Sequence, residues 1–478
     1  MSSLARTCAR LGLLSAAVLL TACASGPADV PSAAAAPARW ASTLPHEGHA
    51  AGLAGWWSRF DDPLLPELVS SAERDSPSVA QALARIGQAR AALRSTRAGL
   101  WPQINLATNA AAVHEPGQDG HLYTASAGAD AAWEIDLFGA RRQSAAAAQA
   151  RVEGSRLAWH DARVSLAAEV AQTYVSLRTC EALAAVYEEE AGSQGRIAEL
   201  TRQKVKVGFD APATGALAEA GAAEAANRLA AQRADCAAVV HALVALTGLP
   251  YDALARQLAD RRARLPAAAP FQVAAVPAAV LAQRPDVAAA QRELAAAAAD
   301  VGAAQAQRFP VLSLAGTIAA VATRVAGITT HGSSWSIAPA ASLPLFDGGL
   351  RAAGVEGAQA RYDEARALFE QRARQAVREV EEALLRLDAA QRREADAQRA
   401  ARGYREYFAA AQNRWQVGAG SLIEMEDARR LSLNAQAALV GVQRERVAAW
   451  ITLYKAVGGG WDAGTPAPDA TANNEGQR

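Results

Sequence analysis

Leu137-Phe138-Gly139 returns as Leu345-Phe346-Asp347, 208 residues further on, and that recurrence decides the fold. The match extends outward on both sides. Trp101-Pro102 corresponds to Phe309-Pro310, and Ser76-Pro77-Ser78-Val79 to Arg284-Pro285-Asp286-Val287, each pair again separated by 208. Beyond the motif, Glu169-Val170 matches Glu379-Val380 and Val207-Gly208 matches Val417-Gly418, now at a separation of 210. Two residues have therefore entered the second half while the order of blocks is unchanged. The period far exceeds the roughly 20–50 residues of a solenoid repeat. The chain is one half-protein written twice.

Each half has the same internal order. A helical stretch of about 24 residues, 77–100 and again 285–308, stops at a proline, which cannot continue a helix. Ile104, Leu106 and Thr108 then alternate with Asn105, Ala107 and Asn109, the period-two pattern of a half-buried strand. Polar stretches follow, His114 to His121 in the first half and Thr329 to Ser334 in the second, and we expect them to be loops. Alternation resumes up to Trp133 and Leu343, predicting a strand pair in each half. Next comes a proline-free run, 140–207 and 350–417. As helix it spans roughly 100 Å at 1.5 Å per residue. After each Val-Gly a further helix of about 37 residues is expected. The two shorter helices of a half sum to the length of the long one, so they can stack end to end beside it.

Such rods are not stable singly. The stripe Val164, Ala168, Ala171, Val175 and Arg178 reads as helix-packing core. Four strands per chain cannot close a barrel, since small barrels need about eight. Open sheet edges are not tolerated in a bilayer. Several copies must share one barrel.

Composition agrees with long helices: Ala dominates a hydrophobic fraction of 51%, while aromatics are only 5%. Basic and acidic residues balance at 48 each, so nothing points to nucleic acid. At the N-terminus, Arg6 and Arg10 precede an apolar run from Leu11 to Leu20, the pattern of a secretory signal. Its close, Leu20-Thr21-Ala22-Cys23, resembles a bacterial lipoprotein box. The resemblance implies removal of residues 1–22 and lipid on Cys23, and Ala24-Ser25 looks like the outer-membrane sorting pattern. Downstream, no apolar run is expected to be long enough for a spanning helix. His46-Glu47-Gly48-His49 has the wrong spacing for a zinc helix, Gly458-Gly459-Gly460 follows a helix instead of opening one, and no metal or catalytic constellation is seen.

Trp56-Trp57-Ser58-Arg59-Phe60-Asp61-Asp62-Pro63-Leu64 resembles the opening of TolC-type outer-membrane efflux lipoproteins of the NodT subgroup. Leu246-Thr247-Gly248-Leu249-Pro250, Arg284-Pro285-Asp286-Val287, Leu343-Pro344-Leu345-Phe346-Asp347-Gly348-Gly349 and Leu453 to Trp461 match that family in order. The resemblance implies a mainly α fold with a transmembrane β-barrel. A homotrimer would share 12 strands in the outer membrane, above a long α-helical barrel in the periplasm. It also implies a passive duct that performs no chemistry and needs no cofactor. Its partners would be a periplasmic membrane-fusion adaptor and an inner-membrane RND transporter. Two alternatives stay open: a duct for type I protein secretion, and a structural envelope lipoprotein without a channel. The expected organisation is a lipid-anchored extension over 23–75, a first repeat over 76–250, an equatorial linker over 251–283, a second repeat over 284–461 and a disordered tail over 462–478.

Within this frame the helix turns at Val207-Gly208-Phe209 and Val417-Gly418-Ala419 are the candidate docking tips, because exposed apolar residues flank a glycine whose plain role is a helix cap. Asp210 is a candidate for an acidic aperture ring, with N-capping as its plain reading. The second tip carries Gly420-Ser421 where relatives carry Asp, and Glu424 and Glu426 follow a turn later. Finally, Cys180 and Cys236 each lie 28 residues from Gly208. If the chain reverses there, their thiols stand at equal height. An oxidising compartment would let a disulfide form, the alternative being two buried free thiols.

Overall fold

The structure, a computed structural model, describes residues 36–42, 53, 55–114, 121–271, 273, 277–325 and 327–461. The signal segment, Cys23, the His46–His49 run and the tail fall outside them. A short 3₁₀ turn over Trp56–Arg59 leads into α1 (Leu64–Asp75) and α2 (Pro77–Ala98). Strands β1 (Gln103–Val113) and β2 (Leu122–Ile135) follow, then α3 (Ala140–Lys206) and α4 (Pro212–Thr247). Two small helices, α5 (Tyr251–Ala259) and α6 (Pro277–Gln283), connect the halves. The second half repeats the plan as α7 (Pro285–Ala306), β3 (Val311–Val325), β4 (Ile328–Ser342), α8 (Leu350–Gln416) and α9 (Leu422–Ala456).

The long rods α3 and α8 are each 67 residues, about 100 Å of continuous helix. Their starts are set by glycines in the left-handed region, Gly139 and Gly349. Proline opens α2, α4 and α7, where its missing N–H costs no hydrogen bond. As the length arithmetic requires, α2 and α4 both pack on α3, and α7 and α9 both pack on α8. The halves join where α3 packs on α7 and α9. Beside the sheet, neighbouring helices therefore run in the order α2, α3, α7, α8. The antiparallel sheet runs β1-β2-β3-β4, the same order in a second material.

Two expectations need correction. Thr329 to Ser334 is not a loop but the opening of β4, whose ladder with β3 runs unbroken to Val325 opposite Ile328. A two-residue turn ending at Gly327, φ 85°, makes the reversal that such a tight hairpin requires. Its polar side chains fall on both faces of the strand, Thr329 and Ser333 on the side of Trp335 and Thr330 and Ser334 on the other, so no alternation marks it. Second, one helix, α4, is long and apolar enough by length and composition to cross a membrane, with a mean hydropathy of 1.4 in its most apolar window. Valine and leucine near its C-terminal end, with alanine, produce that value. The helix lies along α3 and leaves most of its surface uncovered in the single chain.

The core sits at the middle of the rods. Trp56 stacks on Tyr454 at 5.0 Å and meets Phe60 and Phe271 edge-on, so the N-terminal extension is built into the body of the protein. Further along the extension, the Glu381 carboxylate of α8 accepts hydrogen bonds from the backbone N–H groups of Ala41 and Ser42, at 2.6 and 2.9 Å. Val164, Ala168, Ala171, Val175 and Arg178 are all buried. Arg178 donates to the Tyr174 hydroxyl at 3.0 Å and the Leu258 carbonyl at 2.9 Å, and pairs with Glu181 at 2.8 Å. Tyr174 in turn donates to Asp62 at 2.6 Å.

Arg284-Pro285-Asp286-Val287 shows why its residues are needed. The buried Arg284 guanidinium grips both Asp286 oxygens at 2.9 and 2.8 Å, pairs with Glu379 of α8 at 2.8 Å, and donates to the Ala456 carbonyl at 2.8 Å. One side chain thus ties α7, α8 and the end of α9. Burial pushes the Asp286 carboxyl up, but the hydrogen bonds and positive charge of Arg284, the Val287 N–H and the charge of Arg372 together outweigh this and hold it below the ordinary carboxylate range. Its stabilising contribution is present above the unfolded-state pKa, about 3.9, and is lost as pH falls through the lower folded value. Arg284→Ala, which strands Asp286 and Glu379, should cost about 3–5 kcal/mol. Arg284→Lys should cost less, and both should show as lowered thermal midpoints at pH 7. A wild-type midpoint for Arg284→Ala would refute the role.

Candidate functional site: a two-faced sheet and two hairpin tips

Strand register sorts the sheet into two faces. Ile104, Leu106 and Ala110 of β1 stand opposite Ala131, Ala129 and Ala125 of β2, whose line continues through Trp133 and Ile135. The β2–β3 ladder carries the same face to Leu312, Leu314 and Ile318, and β3–β4 carries it to Trp335 and Ile337. The opposite face holds Asn105, Asn109, Thr124, Ser126, Asp130, Glu134, Ser313, Thr317, Ser334 and Ser336. One apolar and one polar face at period two is the pattern of a membrane barrel wall, lipid outside and water inside. Trp133 at the helical end of this face donates its indole N–H to the Leu100 carbonyl at 3.0 Å, fixing β2 to the end of α2. The edge strands are open: every residue of β4 is exposed, and all but one of β1.

At the far end of the rods the chain turns twice in the same way. Gly208 donates to the Val205 carbonyl at 3.0 Å and Phe209 to that of Lys204 at 2.8 Å. Gly418 and Ala419 repeat this toward Trp415 and Arg414 at 3.1 and 2.8 Å. These are Schellman caps, and the glycines have φ 78° and 77°. Such caps usually bury the residue after the glycine against the last helical turn. Here Phe209 is 84% exposed, Val207 73% and Val417 79%, so the apolar side chains serve no internal packing.

The acidic candidates separate. Asp210 does not cap α4; the N-cap is Ala211, with no side-chain hydrogen bond. Glu424 is committed to a capping box, accepting from the Ser421 N–H at 3.1 Å while Ser421 Oγ accepts from the Glu424 N–H at 3.2 Å. The capping reading thus belongs to Glu424. Glu426 turns inward, accepts from Gln194 of α3 and lies 3.6 Å from the Arg429 guanidinium. Arg429 is buried over the Phe408 ring at 5.1 Å, and burial lowers its pKa. This Gln194–Glu426 link between the two hairpins was not foreseen; no sequence spacing connects residues 232 apart.

Higher on the first hairpin, Cys180 and Cys236 face each other across α3 and α4 with sulfurs at bonding distance and Cα atoms 5.5 Å apart. No group of three or more His, Cys, Asp or Glu side chains able to hold a metal occurs among the described residues.

Comparison with known proteins accords with this geometry. Residues 68–249 and 276–459, one block in each half, match the family described as outer membrane efflux protein. The chain is 31% identical to the outer membrane protein OprJ of Pseudomonas aeruginosa, over 94% of this chain and 95% of the relative. It is 29% identical to the pyoverdine export outer membrane protein OpmQ of the same species, over 95% and 97%. The solved structure of the outer-membrane channel OprN superposes with a TM-score of 0.82 at 28% identity, covering 92% of this chain and 99% of OprN. With two matched halves, near-complete coverage and a TolC-type architecture, the chain belongs to the outer membrane efflux protein family.

Proposed function

We propose that this protein is the outer-membrane exit duct of a tripartite efflux pump. Three copies share a 12-stranded barrel in the outer membrane, and their rods form an α-helical tunnel into the periplasm. The observation that carries the reading is the two-faced, four-stranded sheet with both edges unpaired, continuous with rods of 67 residues. Four such strands cannot close on themselves, and open edges are not tolerated in hydrocarbon. The duct conducts passively and does no chemistry; an RND-type inner-membrane transporter supplies energy, and a membrane-fusion adaptor bridges the two. Drug-like small molecules are the cargo class. Purified protein in planar bilayers should give low, mostly closed conductance, and cross-linking should stop at three. A monomeric, non-conducting rod would overturn the reading.

The adaptor docks on the tips, at Val207, Gly208, Phe209, Val417, Gly418 and Ala419, where apolar side chains stand in water. Asp210, repeated by threefold symmetry, lines the closed aperture. No heavy atom lies within 4 Å of a Cβ built on either tip glycine, so a side chain fits spatially and only the left-handed backbone resists it. Gly208→Val and Gly418→Val should therefore strain each cap by about 1–2 kcal/mol, and asparagine should be milder. In a host carrying the cognate pump, the valine variants should lose resistance at unchanged trimer level, while Gly208→Asn retains most of it. Wild-type resistance in both valine variants would count against docking there.

Cys23 carries the lipid, and Cys180–Cys236 oxidises on export and clamps the first hairpin about 40 Å from its tip. A fatty-acid analogue should label the wild type and not Cys23→Ala. Denatured, unreduced protein from the envelope should resist alkylation at Cys180 and Cys236 until a reductant is added; free alkylation of both would refute the clamp.

A further inference from the structure

Phe138 and Phe309 stack within the chain, ring centroids 4.9 Å apart and planes 13° from parallel. They continue the β2–β3 ladder. Its last pair is Ile135 opposite Leu312, and the two phenylalanines lie three residues beyond on each chain segment. The internal repeat gives each a counterpart: Phe346 for Phe138 and Trp101 for Phe309, both at a separation of 208. Among the described residues the counterparts have no such stack. Phe346 is 93% exposed and Trp101 73%. Phe346 follows edge strand β4 and Trp101 precedes edge strand β1, so they lie at opposite margins of the sheet.

We propose that Phe346 stacks on Trp101 of the neighbouring copy, closing the barrel with Ser342 of β4 opposite Asn105 of the neighbour's β1. This rests on the trimeric reading and adds the residues that make the seam. Aromatic pairs within and between chains then alternate around the barrel at the junction of strand and helix. Stacked aromatic pairs stabilise beyond the area they bury.

The internal repeat suggests one competing register. The β3–β4 ladder is displaced by two residues from β1–β2: Val311 opposes Ser342, whereas Gln103 opposes Ala132. Carrying that displacement into the seam would set Ser342 opposite Ala107. Geometry separates the two. With Asn105 opposite Ser342, the ladder climbs about six residues per chain and about 18 around three chains. At a rise of about 3.3 Å and a strand spacing of about 4.8 Å, that is a tilt of about 46°. With Ala107 the climb is about 24 residues and the tilt about 54°. Membrane barrels tilt by about 35–45°, which favours Asn105. Both registers keep Ile104 and Leu106 on the lipid face, so the distinction lies in the seam alone.

Paired cysteines test the seam in the full chain, where native Cys180 and Cys236 already face each other. Asn105→Cys with Ser342→Cys, treated with a short bis-methanethiosulfonate, should yield covalent trimer in denaturing gels, and Ala107→Cys with Ser342→Cys at least tenfold less. The reverse preference, in protein that native mass spectrometry shows to be trimeric, overturns the register while leaving the trimer standing. A monomer by native mass spectrometry would instead remove the trimeric reading, and the seam with it. For the stack, Trp101→Ala, Phe346→Ala and the double variant should lower the dissociation temperature of the detergent-resistant trimer by similar amounts, because each breaks the same contact. Additive losses would overturn the stack.

Discussion

A backbone N–H at an open sheet edge has no partner in hydrocarbon, and that constraint shapes this molecule from the membrane downward. Each chain supplies four strands and two open edges. The helices beside the sheet follow the same order as the strands, so a neighbour that pairs with β1 or β4 also meets α2 or α8. In the proposed trimer, closure of the barrel and closure of the helical wall are therefore one event. The apolar surface of α4, largely uncovered in the single chain, fits that proposal, since its many small side chains permit close approach of another rod.

The middle of the rods solves a different problem. Long alanine-rich helices pack with little to fix their axial register, since one alanine resembles the next. Buried arginines supply what is missing. Arg178 binds the Tyr174 hydroxyl and Glu181 carboxylate of its own helix and the Leu258 carbonyl of α5, while Arg284 binds α7, α8 and the end of α9. A one-turn slip of α8 or α9 against α7 would take Glu379 or the Ala456 carbonyl from the buried Arg284 guanidinium, at a cost of several kcal/mol. The tryptophan-rich extension clasps the same level from outside, so that the rods are pinned at mid-height and freer at their ends.

The repeat made most of this legible. Trp101-Pro102, Phe309-Pro310 and the two Val-Gly turns mark element ends with residues whose backbone chemistry leaves little choice, and the helix limits followed within about two residues. The polar stretch at Thr329 to Ser334 was misread because its polar side chains fall on both faces of β4, leaving no period-two alternation to mark a strand. The acidic residues at the tips were harder still. Glu424, unlike Asp210, lies in the first turn of its helix with Ser421 three residues before it. That spacing is a capping signature, and it was legible in advance. Contacts such as Gln194 with Glu426 join helices far apart in sequence and leave no local trace.

The covalent tie between α3 and α4 divides the first hairpin into arms of unequal freedom. Below Cys180 and Cys236 each arm reaches about 40 Å to Gly208, and a stiff arm of that length swung by about 10° carries its end about 7 Å. That is leverage: a pivot too slight to disturb packing at mid-height displaces the tip by the width of an aromatic ring. Above the tie α3 runs without interruption to the strands, while α4 ends at Thr247, so the tip can travel while the membrane end stays still.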